Sequence, residues 1–159
     1  MNDTVKLTIP QVEHPLAGQT MTGAAMVVQA IADEGVSAIF GYSGGAVLPT
    51  YDAVFLYNEV QTQAGRRQLP LIVPANEQGA GFMADGYARA TGKPGVCFTI
   101  TGPGLLNILT PMGQAWSDSS NVLVISTALD IGDAAQGRGR LHEMLDQRAA
   151  AATVTSLAM

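Results

Sequence analysis

The chain of 159 residues carries eight Lys and Arg against thirteen Asp and Glu, a formal charge of −5, and is 47 % hydrophobic and 13 % charged. That suffices for one well-cored domain and is too short for two ordinary ones, while the acidic balance argues against nucleic-acid or anionic-membrane surfaces, which attract basic patches. The single cysteine, Cys97, excludes a disulfide framework; set in the apolar run Val96, Cys97, Phe98, it reads as a buried structural thiol in a reducing, cytoplasmic setting.

Residues 1–20 hold Asp3, Glu13 and two prolines with no apolar core, the pattern of a loosely ordered lead-in rather than a signal peptide or membrane span. Thr22 then precedes Ala24, Val27, Val28 and Ile31, apolar at helical spacing, and Gly35 stops the run, which predicts a capped amphipathic helix. Residues 36–40 read as a strand entering the loop Gly41, Tyr42, Ser43, Gly44, Gly45, and residues 46–57 as a helix with Pro49 near its start. A polar connector, residues 61–68, leads to a short strand at Leu71, Ile72 and Val73. Asn76 and Glu77 open a helix whose first turns are stripped of bulk by Gly79, Ala80, Gly81 and Ala84, and which ends at the turn-forming residues 92–95. A strand over 96–100 runs into Thr101, Gly102, Pro103 and Gly104. A helix to Trp116 follows, which Pro111 should kink, and then a strand over 121–126. Residues 145–158 predict an alanine-rich terminal helix.

Strands alternating with helices at this spacing predict βαβ units: an α/β, doubly wound, mainly parallel sheet with helices on both faces, its strands continuous apolar runs because both sides are covered. Ligands of such sheets bind beyond the carboxyl ends of the strands. Three successive strands here end in unusual loops: residues 41–45, Asn76 with Glu77, and residues 101–104. Each glycine loop alone is an ordinary tight turn, and Glu77 alone would merely favour a helix N-terminus; their convergence on one edge is the informative feature. Neither phosphate fingerprint fits, since Gly92-Lys93-Pro94 fails the Walker pattern at its third position and Gly102-Pro103-Gly104-Leu105-Leu106-Asn107 ends in asparagine.

From Met21 to about Arg148 the chain resembles the N-terminal pyrimidine-binding domain of thiamine-diphosphate-dependent enzymes, in the branch of acetolactate synthase and related 2-oxo acid decarboxylases. Residues 40–46 resemble the family's first glycine loop, Glu77-Gln78-Gly79-Ala80 its cofactor glutamate, Gly102-Pro103-Gly104 with Asn107 its third loop, and residues 115–119 the segment before its next strand. The resemblance implies a thiamine diphosphate site. Glu77 is its catalytic residue, and Gly41, Ser43, Gly44, Gly45, Asn76, Glu77, Gly102, Pro103, Gly104 and Asn107 are its cofactor-binding residues. In the family the matching glutamate shares a proton with the aminopyrimidine and so promotes the reactive ylide, work that suits a partly buried carboxylate.

Asn76 stands where the family often has histidine and Ser43 where it often has proline, so no titrating relay operates at residue 76. Residues 139–148, around His142 and Glu143, resemble a branch that includes 5-guanidino-2-oxopentanoate decarboxylase and tilt the substrate toward a polar 2-oxo acid. His142 and Gln147 are the substrate-facing candidates; for His142 and its neighbour Glu143 an ordinary reading as solvated loop residues stands equally beside this. No metal ligand is identified within the chain.

The resemblance further implies that residues 21–159 form one pyrimidine-binding domain, ending before the middle and diphosphate-binding domains of the family. Magnesium would come from a missing domain or a partner chain, and the isolated chain would be inactive. The expected partners are further copies of the chain, a separate diphosphate-binding chain and a small 2-oxo acid. The rival reading is a non-catalytic interaction module or truncated remnant that pairs with a larger homologue. A nucleotide-binding α/β domain is a more distant one.

Overall fold

A computed structural model describes residues 13–134 and 136–159. Of the expected lead-in, residues 1–12 lie outside the described residues. Residues 15–18 form a turn, and His14 Nε2 stands 3.1 Å from Asp33 Oδ2, at the end of the first helix.

The elements follow in chain order as α1 (Gly23–Asp33), β1 (Ile39–Gly41), a 3-10 turn (Gly45–Val47), α2 (Leu48–Gln63), β2 (Leu71–Ile72), α3 (Glu77–Thr91), β3 (Gly95–Thr99), α4 (Pro103–Ser117), β4 (Val122–Ser126) and α5 (Gln147–Ala152). The four strands form one parallel sheet in the order β2-β1-β3-β4. From β1 the chain passes through α2 to β2 on one side, then returns through α3 to β3 on the other. The direction of winding therefore reverses between β1 and β3, and a crevice opens there at the carboxyl edge.

Strand alternation sorts the core into two layers. Ile39, Val96 and Phe98 pack with Val28 and Ile31 of α1 and with Tyr51 and Val54 of α2. Ala38, Phe40 and Cys97 face the other way, onto Ala80 and Ala84 of α3 and Leu105, Ile108 and Met112 of α4. The α/β fold with helices on both faces is as the sequence predicts. Complete covering of every strand is not: β3 is buried throughout, whereas Ile72 of β2 and Leu123 of β4 are exposed, since edge strands lack a neighbour on one side.

The largest boundary differences from expectation lie in three elements, beside single-residue shifts in β2, β3 and β4. The first strand begins at Ile39 rather than residue 36. The second long helix begins at Leu48, after the 3-10 turn, and runs on to Gln63, taking in the start of the polar connector. Gln61 is buried there, and Asn58 clasps the backbone of Leu69, donating to its carbonyl at 2.8 Å and accepting from its N–H at 2.6 Å. The terminal helix is only Gln147–Ala152. Asp146 caps it by accepting from the Ala149 N–H at 2.7 Å. It stops where the hydroxyls of Thr153 and Thr155 donate to the carbonyls of Ala150 and Ala151, a local alternative to helical bonding.

The fourth helix is continuous through Pro111, whose ring lies against Gly81. Gly81 has no Cβ to strike it, which allows α3 and α4 to pack closely. Cys97 is free and buried, its thiol directed at the Ala80 carbonyl 3.2 Å away.

Candidate functional site

Asn76 and Glu77 divide one task. Asn76 has extended backbone (φ −164°, ψ 173°) and its Oδ1 accepts from the Gly79 N–H at 2.8 Å, capping α3. Glu77 therefore occupies the first helical position, beside free N–H groups that favour a carboxylate. Although it carries a carboxyl group, Glu77 is buried, 7 % exposed.

Glu77 Oε2 accepts from the Asn107 amide at 3.0 Å. Asn107 is on α4, near its Pro103 start. Oε1 accepts from no side chain among the described residues, and it lies 3.1 Å from where a Cβ on Gly104 would sit. Such a Cβ would also come within 2.5 Å of Ile100 Cγ2 and 2.8 Å of Thr99 Oγ1, so glycine is required at 104 for space alone. Gly41 and Gly44 are closed in the same way: a Cβ on the first would come 2.9 Å from the Phe98 carbonyl oxygen, and on the second 2.6 Å from Ile100 Cδ1. Gly102 adopts φ +67°, ψ −117° as it turns the chain into α4, a conformation L side chains rarely adopt, and Pro103 then supplies the helix's first position.

The structure thus draws Glu77, Asn107 and Gly104 into direct proximity; Gly102 and Pro103 open the helix that carries the last two, while Gly41 ends β1 and Gly44 leads into the 3-10 turn. Ser43 and Gly45 are exposed, and a Cβ on Gly45 would meet nothing within 4 Å. No contact among the described residues brings these two to the carboxylate.

The segment after β4 closes over this edge. Glu143 organises it by accepting from the backbone N–H of Gly137 at 2.6 Å and of Arg140 at 3.1 Å. Burial pushes the Glu143 carboxyl up, but the N–H groups of Arg140, Gly137, Gly139 and Arg138 outweigh it and hold the pKa below its ordinary value. Arg138 and Arg140 both turn to Asp133, at 3.5 and 3.2 Å. Next to Glu143, His142 sits at φ +62° with its carbonyl and Cβ against Gly102, and its Nδ1 is buried without a partner among the described residues.

Gln147 ties the segment down. Its Oε1 accepts from the Thr101 hydroxyl at 2.6 Å and the Gly102 N–H at 3.1 Å, while Nε2 donates to Ser126 Oγ at 3.3 Å and the Thr127 carbonyl at 2.8 Å. With its amide committed on both sides, Gln147 joins the ends of β3 and β4. These bonds give Gln147 a structural use at this edge.

A second network ties α3 to α4 away from the carboxylate. Asp85, buried on α3, accepts from Arg89 Nε at 2.9 Å, and Arg89 Nη2 reaches Asp118 at 2.6 Å. Hydrogen bonding from Arg89 and then from Gln114 holds the Asp118 carboxyl below its ordinary value. Asp85→Asn is expected to cost about 1 kcal/mol, the range of a hydrogen-bonded ion pair whose partner is half exposed, as read from the urea midpoint.

Two residues that the sequence left without a role border the site. Thr99 is fully buried with its hydroxyl beside Gly104, and Tyr51 of α2 has its hydroxyl against Gly41. Both look like core-face residues in the pattern, and only the close approach of two glycines reveals them. Among the described residues no group of three or more His, Cys, Asp or Glu could hold a metal ion, and no helix is long and apolar enough to cross a membrane.

Comparison with known proteins places this geometry in a family. The profile for the thiamine pyrophosphate enzyme N-terminal TPP binding domain matches residues 21–150. The chain is 44 % identical over 138 residues to the probable 2-ketoarginine decarboxylase AruI of Pseudomonas aeruginosa, covering 87 % of this chain and 23 % of that protein. It is 40 % identical over 106 residues to the mitochondrial acetolactate synthase catalytic subunit of Saccharomyces cerevisiae, covering 67 % of this chain and 14 % of the relative. It is 41 % identical over 111 residues to the acetolactate synthase of Mycobacterium bovis, covering 70 % and 16 %. The chain spans less than a quarter of the length of these relatives. With a buried carboxylate at the start of α3 and a match over 130 of its residues (21 through 150), the chain belongs to the family of thiamine pyrophosphate enzyme N-terminal TPP binding domains.

Proposed function

We propose that this domain supplies the pyrimidine side of a thiamine diphosphate site in a 2-oxo acid decarboxylase or acetolactate-synthase-like carboligase, with Glu77 as its catalytic residue. The observation that carries the reading is the Glu77 carboxylate itself: buried, steadied at one oxygen by Asn107, and free at the other of side-chain donors among the described residues. That donor set fits an aminopyrimidine, since a carboxylate can both give and take a proton at a ring nitrogen, and glycines at 41, 44 and 104 keep side chains out of the same edge.

When bound, thiamine diphosphate supplies the electron sink for the carbanion left by loss of carbon dioxide. The chain's own residues do the rest of the work assigned here. Asn76 fixes the start of α3, Asn107 fixes the rotamer of Glu77, and the Glu77 carboxylate moves the proton. Gly102, Pro103 and Gly104 shape the wall facing it, while Ser43 and Gly45 belong to the outer part of the first loop. Gln147 positions the third loop, and His142, with its unclaimed Nδ1, is the residue we assign to the substrate. The likeness to a protein named a 2-ketoarginine decarboxylase supports a 2-oxo acid with a polar side chain as that substrate.

We assign diphosphate and magnesium binding to a part of the enzyme beyond residues 21–159, which we take as one domain. The setting we propose is the cytoplasm. We further propose self-association: Phe82 and Met83 of α3 and Leu106 of α4 are exposed on the helices that carry Glu77 and Asn107, and such apolar surface favours oligomers. Light scattering is expected to give a mass above the monomer, and a strict monomer at high concentration would contradict this.

The experiment for the half-site reading is turnover of a 2-oxo acid panel with thiamine diphosphate and magnesium. The purified chain is expected to give none, and addition of a complementary diphosphate-binding chain is expected to give turnover that depends on Glu77. Robust turnover by the chain alone would overturn the half-site reading. Complementation that is indifferent to Glu77 would favour a non-catalytic module.

A further inference from the structure

The two bonds accepted by Gln147 Oε1 fall where the chain turns into α4. One comes from the Thr101 hydroxyl at 2.6 Å and the other from the Gly102 N–H at 3.1 Å. Thr101 and Gly102 are both buried, so these donors have no water to fall back on. Gly102 holds φ +67°, ψ −117°. Glycine has many other conformations open to it, so its neighbours must select this one. Gln147 does so on one side, and the His142 carbonyl and Cβ lie against Gly102 where a side chain would project.

That turn aims the start of α4 at Glu77. The Gly102 carbonyl accepts from the Leu106 N–H at 3.0 Å. The next residue, Asn107, donates to Glu77 Oε2, and Gly104 leaves the space beside Oε1. Glu77 thus meets α4 at both oxygens, close behind Gly102. A swing of about 10° at Gly102 would carry Asn107, about 7 Å along the helix, by roughly 1 Å. A bond of 3.0 Å between Asn107 and Glu77 does not survive such a displacement.

We propose that Gln147 is a positioning residue for Glu77, its carbonyl oxygen setting the turn at Gly102 and, through α4, the hold of Asn107 on the carboxylate. Gln147 is itself well fixed. It opens α5, whose start Asp146 caps, and Ala151 of that helix packs on the core layer shared by α3 and α4. Its amide nitrogen is anchored at the end of β4 by Ser126 and Thr127. The two ends of one amide therefore divide the work: the nitrogen anchors and the oxygen aims.

The catalytic meaning of this link rests on the role proposed for Glu77, but the link itself is tested on the chain without turnover. The probe is the Asn107 side-chain amide resonance in nitrogen-15 NMR, with Glu77→Ala as the reference in which its acceptor is gone. Asn107 is exposed, so its amide reports the bond rather than burial. Gln147→Met keeps the length of the side chain and removes both polar ends. It is expected to move the resonance about halfway to the reference, as a tenfold weakening equal to one hydrogen bond would give. Gln147→Glu keeps the accepting oxygen and loses the donor, so it is expected to lower the thermal midpoint while leaving the Asn107 resonance near wild type. Thr101→Val removes one of the two bonds to that oxygen in a side chain of similar shape, and should move the resonance in the same direction as Gln147→Met. If Gln147→Met fails to fold, Thr101→Val decides alone.

The proposal is overturned if the Asn107 resonance ignores Gln147→Met or Thr101→Val. It is equally overturned if Gln147→Glu moves the resonance as far as Gln147→Met does, since Gln147 then merely joins two strands. In the completed enzyme, Gln147→Met should slow exchange of the cofactor's thiazolium proton about tenfold. A wild-type rate there, with exchange still suppressed in Glu77→Gln, would overturn the role of Gln147 and leave that of Glu77 standing.

Discussion

Glu77→Gln in the completed enzyme is expected to lower 2-oxo acid turnover by roughly 10²–10⁴-fold, the usual contribution of a general acid–base group. The substitution preserves length, volume and a hydrogen-bonding carbonyl. Asn107 can still donate to the amide oxygen, so α3 and α4 should remain docked as they are now, with 3.0 Å between Asn107 Nδ2 and the side chain of residue 77. Only the capacity to carry a proton goes. Loss of activity with an unchanged circular dichroism spectrum and thermal midpoint would match this; loss of activity accompanied by unfolding would assign Glu77 a structural role instead.

The largest expected effect on stability comes from a glycine remote from the carboxylate. A Cβ on Gly95 would run into the backbone carbonyl group of Ala84, at the place where the start of β3 presses against the middle of α3. Backbone cannot swing aside as a flexible side chain can, so Gly95→Ala must push helix from sheet. The expected cost is about 3 kcal/mol, the upper part of the range for overpacking, read as a drop in the urea midpoint at constant slope. Gly92→Ala is a useful comparison. At φ +69° it is strained, yet its Cβ meets nothing within 4 Å, so its cost should be about 1 kcal/mol with α3 left in place.

These two substitutions also mark how far the sequence could be read. The alternation of apolar runs with helical spacing made the parallel α/β sheet legible, and the acid at the junction of Val73 and Gly79 was conspicuous because its neighbours are small. Boundaries were less legible because tertiary contacts set them. Gln61 reads as the start of a polar connector but is buried within α2, which runs on past Asn58 and its bonds to the Leu69 backbone. Thr153 and Thr155 shorten the final helix despite its alanines.

Within the site, the motifs singled out Asn107 and Gly104, and the fold sets both beside Glu77. Gln147 has a polar side chain suited to a substrate, and no local pattern reveals that Thr101, Gly102, Ser126 and Thr127 already occupy it. Tyr51 was invisible for the opposite reason. Apolar spacing on α2 accounts for a tyrosine without any hint that its hydroxyl ends beside Gly41, at the end of the preceding strand.

The account stands or falls on proton movement by one carboxylate, and exchange of the cofactor's thiazolium proton for deuterium measures it most directly. The measurement belongs in the completed, cofactor-saturated enzyme, with wild type, Glu77→Gln and Asp85→Asn compared. Asp85 is an apt control because it is an equally buried carboxylate on the same helix, paired to Arg89 rather than to Asn107. The predicted result is exchange slowed by roughly 10²–10⁴-fold in Glu77→Gln and nearly unchanged in Asp85→Asn. Exchange at the wild-type rate in folded, saturated Glu77→Gln would contradict the account and leave Glu77 as a residue that merely favours the start of its helix.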